Sequence, residues 1–116
     1  MRKIILGACG VALTLASSAN AATVRFKQYT DETDKQFRVF NRMYLDGVKE
    51  GLIALNSTLV ADGKSPIFRL PPKLALTVEQ ADNIMMQEAK TFPDPDNFPI
   101  SILLLNGLEA TFPCNK

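Results

Sequence analysis

Between residues 37 and 59, apolar residues recur at intervals of three and four, which is the spacing of one face of a helix. The stripe consists of Phe37, Phe40, Tyr44, Val48, Leu52, Leu55 and Leu59. Thr33 and Gln36 fit a capping box ahead of the stripe, and Gly63 is typical of the position after a helix end. The pattern therefore predicts one long amphipathic helix between these two signals.

Two glycines, Gly47 and Gly51, lie four residues apart inside this predicted helix and therefore on one side of it. One interpretation is that a neighbouring helix or loop of the same chain packs closely against them. The other is a helix-pairing face through which two copies of the chain form a homodimer. The sequence leaves both interpretations open.

Two shorter helical patterns follow, separated by proline-rich connectors. Thr77 and Gln80 form a second capping-box pair. The apolar face after them consists of Val78, Ala81, Ile84, Met85, Ala89 and Phe92. Pro99 suits the first turn of a third helix. The face of that helix consists of Ile100, Leu103, Leu104, Leu108 and Phe112. Residues 23–29 favour an extended arm, so we predict an all-α fold: a small single-domain bundle of three to five helices with a short extended N-terminal arm.

The first 21 residues have the three parts of an export signal. Two basic residues come first, residues 4–16 are mostly apolar, and Ala19-Asn20-Ala21 supplies a small-x-small cleavage site. The apolar run is shorter than the roughly 20 residues that a membrane-spanning helix needs. We therefore expect a signal peptide over residues 1–21, a folded domain over residues 22–116 and a periplasmic location.

Cys9 lies inside this signal, so signal cleavage leaves Cys114 as the remaining cysteine. The alternative is a bacterial lipoprotein, because Leu6-Gly7-Ala8-Cys9 resembles the motif in which the cysteine becomes the lipid-bearing first residue. That alternative leaves the apolar residues 11–15 outside the signal.

Charge and residue types disfavour several functions. The chain has 13 basic and 12 acidic residues, which is not the basic excess of a nucleic-acid-binding protein. It contains no histidine, the commonest general base and metal ligand. A serine or cysteine nucleophile would then need an unusual base. We expect no enzymatic activity, no cofactor, no metal site and, after signal cleavage, no membrane association.

Three short segments stand out behind the export signal. They are Tyr44-Leu45-Asp46-Gly47-Val48, Phe68-Arg69-Leu70-Pro71-Pro72 and Phe112-Pro113-Cys114. In this order and spacing they resemble the Rap/Tai family of immunity proteins. Those are small helical periplasmic proteins that protect bacteria from amidase toxins delivered by type VI secretion. The resemblance implies that these segments serve mainly the fold. The family-like fold positions are Tyr44, Gly47, Leu70, Pro71, Phe112, Pro113 and Cys114.

The chain departs from the family pattern at Arg69, where family members typically carry a cysteine that resembles the partner of the terminal cysteine. Cys114 is therefore expected either as a buried, inert thiol or as a thiol available to a second chain. The resemblance also implies a protruding loop that plugs the catalytic cleft of the amidase. The proline-marked connectors are the candidates for that loop, and Asp94, Asp96 and Asn97 are the candidate contacts.

The favoured hypothesis is thus a periplasmic inhibitor that binds and occludes a type VI secreted peptidoglycan amidase. The alternative is a small periplasmic chaperone or stress-response binding protein, which would also be helical and exported. Acidic residues balanced by basic ones provide no special acid trigger for such a chaperone. A cryptic enzyme is disfavoured by the missing histidine.

Overall fold

Four helices make up the fold, as seen in a computed structural model that describes residues 23–31 and 33–114. They are α1 (Phe26–Thr30), α2 (Lys35–Ala61), α3 (Val78–Ala89) and α4 (Ile100–Thr111). No named strand occurs among the described residues, which confirms the predicted all-α class. Residues 23–25 lie outside the helices and Arg25 is extended, but the rest of the predicted arm forms α1. The expected signal peptide and Cys9 lie outside the described residues.

The start of α2 differs by one residue from the capping prediction. Asp34 is the N-cap, and its carboxylate accepts a hydrogen bond of 2.9 Å from the Gln36 amide. Thr33 instead donates to Asp31 from its amide at 3.1 Å and from its hydroxyl at 2.8 Å. The sequence offers two adjacent N-cap residue types here, and Thr33 is engaged with Asp31, so Asp34 takes the capping position.

The end of α2 is the predicted glycine stop. Gly63 has a φ of 77°, in the left-handed region that glycine adopts without steric cost. The amides of Gly63 and Lys64 donate to the carbonyls of Val60 and Leu59 at 3.0 and 2.8 Å. These are the two hydrogen bonds of a Schellman motif, so the last turn of α2 is closed by backbone alone.

The core lies where α3 and α4 pack against each other, the most extensive helix contact in the described chain. The predicted capping box starts α3: the Thr77 amide donates to Gln80 Oε1 at 2.9 Å, and Gln80 N donates to Thr77 Oγ1 at 3.1 Å. Fully buried side chains of this core are Phe68, Leu45, Met85, Ile100, Leu103, Leu104 and Leu108. The apolar faces predicted for both short helices supply most of it.

The inner face of α2 includes only part of the predicted apolar stripe, since Tyr44, Val48 and Leu52 pack against the core. Leu45 is fully buried there, with Asn41 and Lys49 on either side of it also buried. Phe37 and Phe40, the first two residues of the predicted stripe, are exposed instead. The helix is therefore rotated relative to the expectation from its hydrophobic pattern.

Polar side chains on this inner face explain the rotation. Lys49 Nζ donates to the Leu76 carbonyl at 2.8 Å. Asn56 Nδ2 donates to the Phe68 carbonyl, and Asn56 Oδ1 accepts from the Ile67 amide, both at 2.6 Å. Because buried backbone groups need partners, these two residues of α2 hold the irregular connector between α2 and α3.

Two carboxylates also balance the positive charge of Lys49. Its ammonium lies 2.9 Å from a carboxylate oxygen of Asp46 and 3.0 Å from one of Glu50. Burial opposes its charge, but the hydrogen bonds and charges of these two carboxylates outweigh burial and hold the pKa of Lys49 above its ordinary value.

Tyr29 joins α1 to α3 through a 2.6 Å hydrogen bond from its hydroxyl to Asp82. Burial, followed by that bond, raises the pKa of Tyr29.

Gly107 marks the closest approach of α4 to α3. A Cβ placed on it would lie 2.7 Å from Cγ2 of Ile84 and 3.0 Å from the Ile84 carbonyl oxygen. Those distances are too short for an unstrained contact, and the neighbouring atoms belong to a branched side chain and to backbone. The packing of the core therefore requires glycine at position 107.

We expect Gly107→Ala to be less stable than Gly51→Ala. Both substitutions gain the same helix propensity of about 1 kcal/mol, but nothing lies within 4 Å of a Cβ at position 51 in the described chain. The difference between the two therefore isolates the steric cost at the core, about 1–3 kcal/mol. Urea unfolding at low protein concentration measures it. Equal stabilities of the two variants would contradict the close packing at Gly107.

Stability should fall in alkaline solution because of Lys49 and Tyr29. Each has a folded-state pKa above its unfolded value, so its stabilisation is complete below the unfolded pKa and is lost as pH rises through the folded pKa. We expect the free energy of unfolding to decrease from about pH 10 upward, where the unfolded groups titrate.

Urea titrations at a series of pH values measure this slope. Lys49→Met and Tyr29→Phe should each make it shallower, whereas Lys73→Met removes an exposed lysine and should leave it unchanged. The same slope in all four proteins would contradict the assignment.

Candidate functional site

The second proline-marked connector, residues 92–99, forms a turn anchored to the start of the described chain. The Phe26 amide donates to the Phe98 carbonyl at 2.9 Å, and the Lys27 amide donates to the Asp96 carbonyl at 3.0 Å. Arg25 Nε donates to the Asn97 carbonyl at 3.2 Å. The backbone of this 92–99 turn is therefore fixed by contacts from residues far away in the sequence.

Further contacts stiffen the turn from within. The Phe98 amide donates to the Pro95 carbonyl at 2.9 Å. The rings of Phe92 and Phe98 meet edge to face with their centroids 4.7 Å apart. Such ring pairs add stabilisation beyond the area that they bury.

The three candidate contact residues lie together on the outside of this turn. Asp94, Asp96 and Asn97 are all exposed. Asp96 and Asn97 use their backbone carbonyls for the anchoring bonds, so anchoring does not consume their side chains. The structure thus brings the predicted residues together on a short rigid segment and presents two carboxylates and an amide to solvent.

A second surface contains the predicted glycine pair together with apolar residues that were not predicted to be exposed. Phe37, Phe40 and Met43 on the first half of α2 are 63–66% exposed. Gly47, Gly51 and Ala54 continue the same side of the helix and are also exposed. These six residues are here called the outer face of α2. Large apolar residues fill its first half and small residues its second half.

The outer face bears on the first of the two interpretations of the glycine pair. Within the described chain, nothing lies within 4 Å of a Cβ at Gly47 or Gly51. The interpretation that a neighbouring helix or loop of the same chain packs closely there is therefore wrong for the described residues. The hydrophobic pattern of α2 did not reveal that the glycine pair is exposed. The side of α2 that faces the core is determined by hydrogen bonds to the backbone of the connector between α2 and α3.

The second and third family-like segments are neighbours. The Arg69 amide donates to the Phe112 carbonyl at 2.9 Å, which places the connector before Leu70 beside the end of α4. Leu70 and Phe112 are half-buried and pack against the core, and Phe68 is fully buried. Pro71 and Pro113 are exposed.

The first family-like segment lies on α2. Tyr44 is half-buried and packs against the core, whereas Gly47 belongs to the outer face and has no such contact among the described residues.

Cys114 is a half-buried free thiol. Its Sγ lies 3.0 Å from the Pro66 carbonyl oxygen, to which the thiol donates. The side chain of Arg69 is exposed. The thiol is therefore engaged with the same connector that carries Arg69, close to the position that the family resemblance assigns to its partner cysteine.

Elsewhere in the described chain, the side chains form no recognisable metal-binding centre. Among the described residues, no three side chains of the metal-binding types converge. None of the described helices combines the length and the apolar character that a bilayer crossing requires. The candidates considered below are two surfaces of the described chain, the 92–99 turn and the outer face of α2.

Comparison of the whole chain with known proteins gives no family-model match, no curated relative and no similar solved structure.

Arg69→Cys should form an intramolecular disulfide with Cys114, because the connector and the C-terminal segment lie side by side. The bond would close a loop of roughly 45 residues and stabilise the fold by about 3–4 kcal/mol, less any strain. Thiol titration and urea unfolding with and without reductant measure both effects. Lys73→Cys, on an exposed stretch of the same connector, is the matched control and should not pair. Two free thiols in Arg69→Cys under oxidising conditions would contradict the neighbourhood of the two positions.

Proposed function

We propose that this protein is an exported inhibitor that binds a type VI secreted peptidoglycan amidase and blocks its catalytic cleft with the 92–99 turn. The observation that carries the proposal is the geometry of that turn. Asp94, Asp96 and Asn97 project from a backbone that is already fixed by Arg25, Phe26 and Lys27. The chain itself performs no chemistry in this proposal and needs no cofactor.

Rigidity of the turn is what an inhibitor requires. Binding costs conformational entropy for every segment that becomes ordered, and a segment fixed beforehand avoids much of that cost. Three prolines and the Phe92–Phe98 ring contact restrict the turn before a partner arrives. The exposed carboxylates then supply charge-assisted hydrogen bonds to a histidine or a basic rim of the cleft.

The resemblance to the Rap/Tai family supplies the partner class. The second and third family-like segments of this chain meet through the Arg69–Phe112 hydrogen bond, and Phe68 is fully buried in the core. This arrangement supports a role for those segments in the fold and leaves the 92–99 turn free for contact. The export signal expected over residues 1–21 supports action in the periplasm, where such an amidase attacks the cell wall.

A periplasmic chaperone is the second candidate, and the outer face of α2 favours it. Large exposed apolar side chains such as Phe37 and Phe40 are typical of surfaces that bind other proteins. A chaperone would bind many unfolded clients through that face. An inhibitor binds one folded enzyme through the 92–99 turn. The two functions can therefore be distinguished by the number of partners that are bound and by the surface that binds them.

The proposal predicts protection and tight binding. Co-expression of the exported protein with amidase toxins from the same genome should rescue growth for one of them. We expect a nanomolar dissociation constant, equivalent to roughly −12 kcal/mol, because a small free fraction of toxin would continue to cut the wall. Asp94→Lys and Asp96→Lys should each weaken binding by about tenfold or more.

The matched control is Glu109→Lys, a charge reversal at an exposed position of α4. It should bind as tightly as the unchanged protein. Weakening by all three reversals alike would indicate general charge attraction and would remove the turn from the proposal. Lack of protection against every amidase, together with capture of many unrelated periplasmic proteins, would favour the chaperone.

A further inference from the structure

A groove of about 430 Å³ lies between α1, the first turns of α2 and α3. The residues that line it include Tyr29, Lys35, Arg38, Arg42, Asp82 and Met86. It is here called the basic groove. Its described lining shares no residue with the 92–99 turn or with the outer face of α2.

The spacing of basic residues along α2 brings three positive charges to this groove. Lys35, Arg38 and Arg42 follow each other at intervals of three and four residues, so they lie on one side of the helix. The whole chain is nearly balanced, with 13 basic and 12 acidic residues. The groove is therefore a local concentration of positive charge on a protein that has no general excess of it.

The acidic side chains nearby do not cancel this charge. Asp82 is the single acid among the described residues that line the groove, and its carboxylate accepts a 2.6 Å hydrogen bond from the Tyr29 hydroxyl. Glu79 lies 3.9 Å from Arg42, but the two side chains are 70% and 41% exposed, so water screens their attraction. Three cations against one carboxylate leave the described lining with a net charge of +2.

The groove also offers apolar surface next to its charges. Val39 lines it and is exposed, and Met86 lines it while packing against the core. Arg42 lies close to the Tyr29 hydroxyl, because its positive charge opposes the rise in the pKa of Tyr29. Cationic donors and an apolar wall are thus combined in one depression.

We propose that the basic groove binds the phosphoryl group of a small organic phosphate, with Lys35, Arg38 and Arg42 as its cationic partners. A phosphoryl group carries a charge of about −1.5 to −2 at neutral pH and three acceptor oxygens. Three cationic donors match it better than they match a carboxylate, which has one charge and two oxygens. Each guanidinium presents a planar fork that bonds two phosphate oxygens at once. The apolar part of the ligand then contacts Val39 and Met86.

Isothermal titration calorimetry on the protein produced from its full coding sequence tests the ligand class. The probes are inorganic phosphate, phenyl phosphate and benzoate. Phenyl phosphate should bind about tenfold more tightly than inorganic phosphate, because its ring buries apolar surface against Val39 and Met86. It should exceed benzoate by a similar factor. Absence of saturable binding of phenyl phosphate, or equal binding of benzoate, would overturn the proposal.

Charge-removing variants test the site. Lys35→Gln and Arg42→Gln should each weaken the binding of phenyl phosphate by about fivefold or more, because each removes a charged hydrogen-bond donor. Lys73→Gln and Arg69→Gln are the matched controls at exposed positions outside the groove, and they should bind as the unchanged protein does. Circular dichroism checks that each variant is folded. Equal weakening by all four would indicate general charge attraction and would overturn the site.

Asp82→Asn should change the affinity in the opposite direction. It removes the negative charge from the lining, while the asparagine oxygen can still accept from the Tyr29 hydroxyl. Phenyl phosphate should therefore bind about threefold more tightly or better. A purely structural role of these residues predicts no such gain, and unchanged or weaker binding by a folded Asp82→Asn protein would contradict the proposal.

Cosedimentation with lipid vesicles distinguishes a soluble phosphate from a lipid headgroup. Vesicles of anionic phosphatidylglycerol are compared with vesicles of neutral phosphatidylcholine. Binding to the anionic vesicles that Lys35→Gln abolishes, without saturable binding of phenyl phosphate, would overturn a small soluble ligand and assign the groove to a headgroup. Protection against an amidase enters none of these measurements, so failure of this inference is distinguishable from failure of the proposed function.

Discussion

The irregular backbone between α2 and α3 must find hydrogen-bond partners, and the rest of the structure depends on how α2 supplies them. Asn56 satisfies the chain at Ile67 and Phe68, and Lys49 satisfies it at Leu76. An unpaired buried carbonyl or amide costs more than one net hydrogen bond contributes, so these contacts fix the rotation of α2. Once that rotation is fixed, an apolar side of the helix is left facing outward.

Local signals in the sequence were sufficient to predict where helices start and end, but they did not predict which side of α2 faces the core. The capping pair Thr77–Gln80 and the stop at Gly63 act within a few residues, so they could be recognised without knowledge of the fold. The inward side of α2 could not, because it depends on connector carbonyls that carry no side-chain signature. Gly107 escaped notice for the same reason: its role is defined by Ile84 on another helix.

The candidate site was likewise predictable from the sequence only in part. Prolines and acidic residues marked residues 92–99 as a turn with exposed polar groups, and the structure has both. Its prolines predicted a rigid connector, but its anchoring was not predictable, since the groups of Arg25, Phe26 and Lys27 that hold it belong to a segment expected to be an extended arm. The outer face of α2 was visible in the sequence as the pair Gly47 and Gly51, but Phe37 and Phe40 belonged to a stripe that was expected to be buried.

The link between Arg25 and Asn97 spans 72 residues, and this separation bears on the order in which the molecule is assembled. A chain that emerges from its N-terminus presents residues 24–27 long before residues 96–100 exist to pair with them. Contacts of such high sequence separation form late, because the intervening chain must first be brought together. The bonds that anchor the 92–99 turn can therefore form only after residues 96–98 have been synthesised, so a chain cut short before them would lack the anchored turn.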